Sequence, residues 1–219
     1  MNSEPTGFLY PFIESEERDA SGLVLDLATS AQAKMADSRA LRAATLAACS
    51  QVLQRAGEAM ADRFRGGGRL FAFGNGGSAT DAEGIVGLFL DPPSGRPLPA
   101  MSLVDDRAVL TALANDVGFE LVFSRQLIAH AGAGDIAVGF STSGGSLNVL
   151  RAFEEACRRD LLTVGLCGYE GGAMARSDAV QHCLVVRSDS VHRVQEAQNA
   201  LMLELWSTVQ HCLDGGNAP

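Results

Sequence analysis

Two short stretches hold the residues best suited to chemistry. The first is Gly74-Asn75-Gly76-Gly77-Ser78-Ala79-Thr80-Asp81, and the second is Ser141-Thr142-Ser143-Gly144-Gly145-Ser146. Each mixes glycines with side chains that carry hydroxyl or amide groups. Glycine lets the backbone bend and approach a ligand closely. Free N–H groups at a helix start, backed by the helix dipole, then face an anion. The second loop adds four hydroxyl groups and no lysine. Neither stretch has the Gly-Lys-Ser/Thr of a nucleotide P-loop or the spaced glycines of a dinucleotide site. A small phosphorylated metabolite is therefore the expected ligand. Both stretches also read as tight strand-to-helix turns, and their hydroxyl content is what favours a ligand site.

Such loops must be held by strands and helices, and the flanking patterns supply them. Leu70–Phe73 is a short apolar run that reads as a buried strand, and Ala82–Leu90 reads as a helix. Asp135–Phe140 reads as a strand before the second loop, and Leu147–Arg159 as a helix after it. Further strands are expected at Ala100–Val104, Leu162–Leu166 and Cys183–Val186, with a last helix over Val191–Leu213. Alternation of this kind predicts an α/β fold with a mostly parallel sheet covered on both faces. Ligands in such folds lie at the carboxyl ends of strands, where both loops fall.

Upstream, residues 1–65 read as an arm and helices that pack on the domain or on a neighbouring subunit. Gly22–Met35 has helical spacing, and Ser38 is placed to cap a longer helix running to about Phe64, stopped by Gly66-Gly67-Gly68. Residues 66–213 form the main domain, and 214–219 a tail.

The chain has 219 residues and a net charge of −9. That charge argues against direct nucleic-acid binding and against an anionic membrane surface, because both need a basic field. No stretch approaches the apolar length of a membrane span. The five cysteines, Cys49, Cys157, Cys167, Cys183 and Cys212, include no Cys-x-x-Cys pair and sit mostly in apolar runs. They read as buried free thiols of a reducing compartment. The N-terminus lacks the basic and apolar segments of a signal peptide, so a cytoplasmic location is expected.

Other single residues have two readings each. Asp81 reads as a cap or support for its helix. Glu83 is a candidate displaced base, and His192, at the start of the last helix, a candidate general acid or base; both also fit solvated surface roles. Cys167 follows a strand at the ligand end, where a core thiol is the simpler reading than a nucleophile.

With both loops placed, the sequence resembles the sugar isomerase (SIS) domain family. More narrowly it is similar to the phosphoheptose isomerases, which act on sedoheptulose 7-phosphate, and to the initiator-associating proteins of bacterial replication. The resemblance runs from about Gly66 to Leu213. It rests on Gly74–Ser78, Ala114-Asn115-Asp116, Ser141–Ser146, Cys167–Gly172 and Arg193-Val194-Gln195-Glu196. It implies a three-layer fold with a five-stranded parallel sheet, a homotetramer with sites shared between subunits, and a phosphorylated sugar as ligand. The implied contacts come from Asn75, Gly76, Ser78, Ser141, Thr142, Ser143 and Ser146, with Asp106 and Gln195 at the sugar end.

The resemblance fails where the reaction would occur. The family places a histidine and a glutamate four residues apart on the helix after the first loop, and a second histidine on the last helix. Those positions are Gly84, Leu88 and Leu203 here. Zinc is implied by the family, yet these positions have no donor atoms for it, so no metal or other cofactor is expected. Three readings follow. One is a metal-independent isomerase using His192 or Glu83. Another is a non-catalytic sugar-phosphate sensor or a scaffold for a protein partner. The third is a mixed oligomer whose partner supplies the base.

Overall fold

The computed structural model describes residues 20–215. The arm expected before residue 20 and the last four residues of the tail lie outside the described residues. The first element is one continuous helix, α1 (Ala20–Arg65). Ser38 lies in its interior, so no cap separates two helices there. No glycine or proline interrupts the chain between Gly22 and Gly57, and an interior serine costs a helix only a few tenths of a kcal/mol. The chain divides into two compact units at Arg39/Ala40. Within the first unit, the described part is helical, with Val24, Leu25, Leu27 and Met35 exposed.

The second unit contains the rest of α1 and everything after it. Cys49, Leu53, Ala56, Met60, Ala61 and Phe64 form the buried stripe of this part of α1. Their spacing of three and four residues puts them on one helix face. A turn at Gly66–Gly68 leads into β1 (Leu70–Gly74) and α2 (Gly77–Leu90). Then follow β2 (Ala100–Ser102), α3 (Arg107–Asp116), a 3-10 turn (Phe119–Leu121) and α4 (Val122–His130). The chain continues with β3 (Ile136–Ser141), α5 (Leu147–Arg158), β4 (Leu162–Gly168), β5 (His182–Val186) and α6 (Val191–Leu213). The expected strands are all present, with shifted ends. β2 is shorter than the run Ala100–Val104, and α2 starts at Gly77 rather than Ala82.

The five strands form one parallel sheet in the order β2-β1-β3-β4-β5. The chain moves outward from β1 to β2, then returns to place β3 on the other side of β1. The strand order therefore reverses between β1 and β3, and a crevice opens beyond their carboxyl ends. Gly74 pairs with Phe140 in register, so the two glycine–hydroxyl loops leave the sheet side by side.

Both sheet faces are covered. On one face Leu70, Ala72, Ile136, Val138, Val164 and Leu166 pack under α2, α6 and the second half of α1. On the other, Phe73 meets Phe123 of α4 and Phe153 of α5, with ring centroids 5.5 and 5.4 Å away. Near-continuous burial along β1, β3 and β4 is what a parallel sheet with two covered faces demands. Among the described residues no helix is long and apolar enough to cross a membrane.

Candidate functional site

The first loop closes tightly on itself. Ser78 N–H donates to the Asn75 carbonyl at 3.0 Å and Ala79 N–H to the Gly76 carbonyl at 2.9 Å. The helix thus winds directly out of the strand, which is why α2 starts inside the glycine run. Gly76 is its N-cap residue, at φ 56°, and no side chain caps this end. Of the first three amides of α2, those of Ser78 and Ala79 are used within the turn, and that of Gly77 is left for another partner. Ser78 is buried in the first turn at 5% exposure.

The second loop is organised by its hydroxyls. Ser141 Oγ lies 2.9 Å from Ser146 Oγ and 3.5 Å from Ser143 Oγ. Ser143 Oγ accepts from Gly145 N–H at 3.2 Å. Ser146 is the N-cap residue of α5, but its hydroxyl turns to Ser141 rather than to the helix. The amides of Leu147 and Asn148 stay open, whereas those of Val149 and Leu150 donate to the Ser146 carbonyl at 3.1 and 3.0 Å. The loop is braced from behind. Gly168 N–H donates to the Thr142 carbonyl, and Met174 N–H to the Gly144 carbonyl, both at 2.8 Å. Gly144 has φ 63°, and a Cβ there would stand 2.1 Å from the Gly171 carbonyl oxygen. The Cys167–Gly172 turn is therefore the backing of this loop.

A side chain outside every sequence motif joins the two loops. Asn148 of α5 is 3% exposed and exchanges two hydrogen bonds with Asn75, at 2.8 and 2.9 Å. The paired amides fix Asn75 in one orientation. Beside this pair opens a cavity of about 360 Å³ lined by Asn75, Ser146, Leu147, Asn148, Phe119 and Glu120.

Gln195 reaches the first loop from α6. Its amide packs over Gly77, where a Cβ would stand 2.3 Å from Nε2. The same Nε2 donates to Asp81 Oδ2 at 3.3 Å. This corrects the reading of Asp81 as a helix cap. It is the fifth residue of α2, 5% exposed, and faces α6. Burial raises its carboxyl above the ordinary aspartate range, and the Gln195 hydrogen bond offsets this in part.

The sign of that shift makes a prediction. The folded protein binds the Asp81 proton more tightly than the unfolded chain does, so ionisation weakens the fold. Its contribution is complete below the unfolded value and is lost as pH rises through the raised folded value. Asp81→Asn should melt close to the wild type at about pH 4. At about pH 8 it should melt higher, by about 2–4 °C for each kcal/mol released. Melting curves across this range check the trend, and a variant whose advantage shrinks with rising pH contradicts it.

The remaining expected site residues lie as follows. Asp106 is exposed and caps α3, accepting from Val109 N–H at 3.0 Å. His192 is exposed in the first turn of α6, and Glu83 is exposed on α2. Gly84 is exposed with open space beside it, Leu88 is half-buried and Leu203 is 53% exposed. None of these three carries a donor atom, so the donor set does not fit zinc. Among the described residues no three acidic, histidine or cysteine side chains are grouped to hold a metal. Of the five cysteines, Cys157 is exposed, against the expectation of burial, because it lies on the outer side of α5.

Comparison with known proteins agrees with this architecture. A family model described as the SIS domain matches residues 35–168. The phosphoheptose isomerase of Geobacter sp. (strain M21) is 42% identical over 149 residues, covering 67% of this chain and 77% of that one. The phosphoheptose isomerase of Aneurinibacillus thermoaerophilus is 41% identical over 139 residues, covering 61% and 68%. Among solved structures, phosphoheptose isomerase GmhA from Neisseria gonorrhoeae superposes with a TM-score of 0.77 at 33% identity, covering 86% of this chain and 99% of that one. The fold is thus shared with the Neisseria structure, and the chain belongs to the SIS domain family as a homologue of the phosphoheptose isomerases.

Proposed function

We propose that this protein binds a phosphorylated sugar of the sedoheptulose 7-phosphate type and does so without zinc. The observation that carries the reading is the pairing of two uncapped helix starts at the strand-order reversal, with Ser141, Ser143 and Ser146 gathered at one of them. Open amides and clustered hydroxyls suit a phosphate. Asn75, Ser78, Gln195 and Asp106 are assigned to the sugar by the family resemblance.

Aldose–ketose isomerisation needs a base beside the reacting carbons and a group to polarise the carbonyl. Gly84, Leu88 and Leu203 supply neither. That favours a sugar-phosphate sensor or a scaffold for a protein partner. If the chain does isomerise, His192 and Glu83 are the candidates, acting without metal. A homo-oligomer, of four subunits by the family resemblance, belongs to the same proposal.

A thermal-shift panel of sugar phosphates, led by sedoheptulose 7-phosphate, tests the binding. Ligand that binds the native state raises the melting temperature, by an amount equivalent to about 2.7 kcal/mol at a hundredfold excess over Kd. Proton NMR then follows exchange at C1 and C2 with and without EDTA. Binding without exchange supports the sensor or scaffold. Exchange that survives EDTA assigns a metal-free isomerase, and His192→Ala becomes the next variant. Exchange abolished by EDTA overturns the zinc-free reading, and no shift with any phosphate overturns the ligand site.

A further inference from the structure

Three of the five cysteines gather where β4 and β5 meet. Cys167, at the end of β4, is fully buried, and Cys183, near the start of β5, is half-buried. Their sulfurs are 3.5 Å apart. Cys49 of α1 lies on the opposite sheet face and donates to the Val185 carbonyl at 3.6 Å. Cys167 and Cys183 share one face because their register partners, Val185 and Gly165, are each offset by two residues. Nothing in the sugar-phosphate reading uses either thiol.

We propose that Cys183 and Cys167 form a peroxide-reactive dithiol that closes to an intrachain disulfide and loosens the backing of the Ser141–Ser146 loop. Cys183 is the more exposed residue of the two, and the one a peroxide reaches first. The contact between the two sulfurs lowers the Cys183 thiol below its ordinary value and, with burial, raises that of Cys167 above it. Cys183 is therefore the attacking group and Cys167 the resolving one.

The steps balance. The Cys183 thiolate attacks one oxygen of a hydroperoxide and the O–O bond breaks. The leaving alkoxide or hydroxide takes a proton, and Cys183 becomes a sulfenic acid. The Cys167 sulfur then attacks the Cys183 sulfur and an S–S bond forms. The S–O bond breaks, and the departing hydroxide takes the Cys167 proton as water. The peroxide gains two electrons and the two thiols lose them.

Closure has a mechanical consequence. The two sulfurs stand 3.5 Å apart, whereas a disulfide holds them at about 2.05 Å. The bond therefore draws Cys167 and Cys183 together. Cys167 directly precedes Gly168, whose N–H anchors the loop at the Thr142 carbonyl. Drawing Cys167 toward β5 pulls on that anchor and on the turn behind it.

The test uses the full chain as purified, treated with hydrogen peroxide, alkylated and digested with trypsin. Cleavage after Arg159, Arg176 and Arg187 puts the two thiols on peptides 160–176 and 177–187. The expected product is a cross-link of these peptides, lighter by two hydrogens and reversed by dithiothreitol. It should be absent in Cys183→Ser and retained in Cys157→Ser, which removes the exposed competitor. Hydrogen exchange on the oxidised protein should be severalfold faster at the Gly168 and Met174 amides. Over-oxidised Cys183 with no cross-link overturns the dithiol. A cross-link whose exchange change is confined to β5 overturns the link to the loop. Both readouts are independent of sugar binding, so they stand or fall apart from the proposed ligand.

Discussion

Gly144→Val should abolish phosphate binding and destabilise the fold by about 2–5 kcal/mol. Two costs add at this position. A left-handed conformation costs a residue with a Cβ about 1–2 kcal/mol, and Gly144 sits at φ 63°. The added Cβ also meets backbone, 2.1 Å from the Gly171 oxygen and 2.6 Å from its carbon. Backbone cannot rotate aside as a flexible side chain can, so the loop and the turn must separate, at about 1–3 kcal/mol for overpacking. Separation breaks the Met174 N–H bond to the Gly144 carbonyl and spreads the hydroxyls of Ser141, Ser143 and Ser146. Gly145→Ala is the control. Its Cβ would meet only Ser143 Oγ at 3.7 Å, so a change within about 0.5 kcal/mol is expected. Urea unfolding gives the stability difference, and a phosphate-dependent melting shift gives the binding. A Gly144 variant that still shows the full shift would detach the loop from the ligand.

Placing the three donors that the family resemblance implies should give a chain that binds zinc stoichiometrically. The triple variant is Gly84→His, Leu88→Glu and Leu203→His. Positions 84 and 88 are four residues apart on α2 and share a helix face. Gly84 has open space for a larger side chain, and Leu203 is more than half exposed. Replacing a helix-interior glycine also gains up to about 1 kcal/mol of helix propensity. Metal content after dialysis, with the wild type alongside, reads the result. Zinc in the variant alone would show that only the donors are missing. Proton exchange in a bound sugar phosphate would show further that the rest of the reaction site is intact. A variant that folds and takes up no zinc would mean that α2 and α6 no longer present these positions to one ion.

Much of the architecture was legible because it rests on local pattern. Leu70–Phe73 and Leu162–Leu166 are short apolar runs, and such runs have few alternatives to buried strands. The α6 stripe of Val194, Ala197, Leu201, Leu205 and Val209 repeats at helical spacing, and its bounds agree with those expected. Ser38 misled for the same local reason. A serine before an apolar stripe has the look of a cap, but nothing preceding it stops the helix. The start of α2 at Gly77 is hidden from local pattern because glycine lowers helix propensity, whereas here Gly77 is demanded by the amide of Gln195 lying on it.

The amino-acid sequence by itself determined the parallel α/β class, the two glycine–hydroxyl loops and the family. Each of these is a matter of residue identity or of spacing within one segment. The tertiary structure alone decided which distant side chains meet. Asn75 pairs with Asn148 across 73 residues, and Asp81 receives Gln195 across 114. It also turned Asp81 from a cap into a buried carboxylate, and set two thiols 3.5 Å apart on neighbouring strands. Those facts depend on sheet order and on how α5 and α6 pack on the sheet. Long-range placement of this kind arises from packing the whole core and leaves no periodic trace in any one segment.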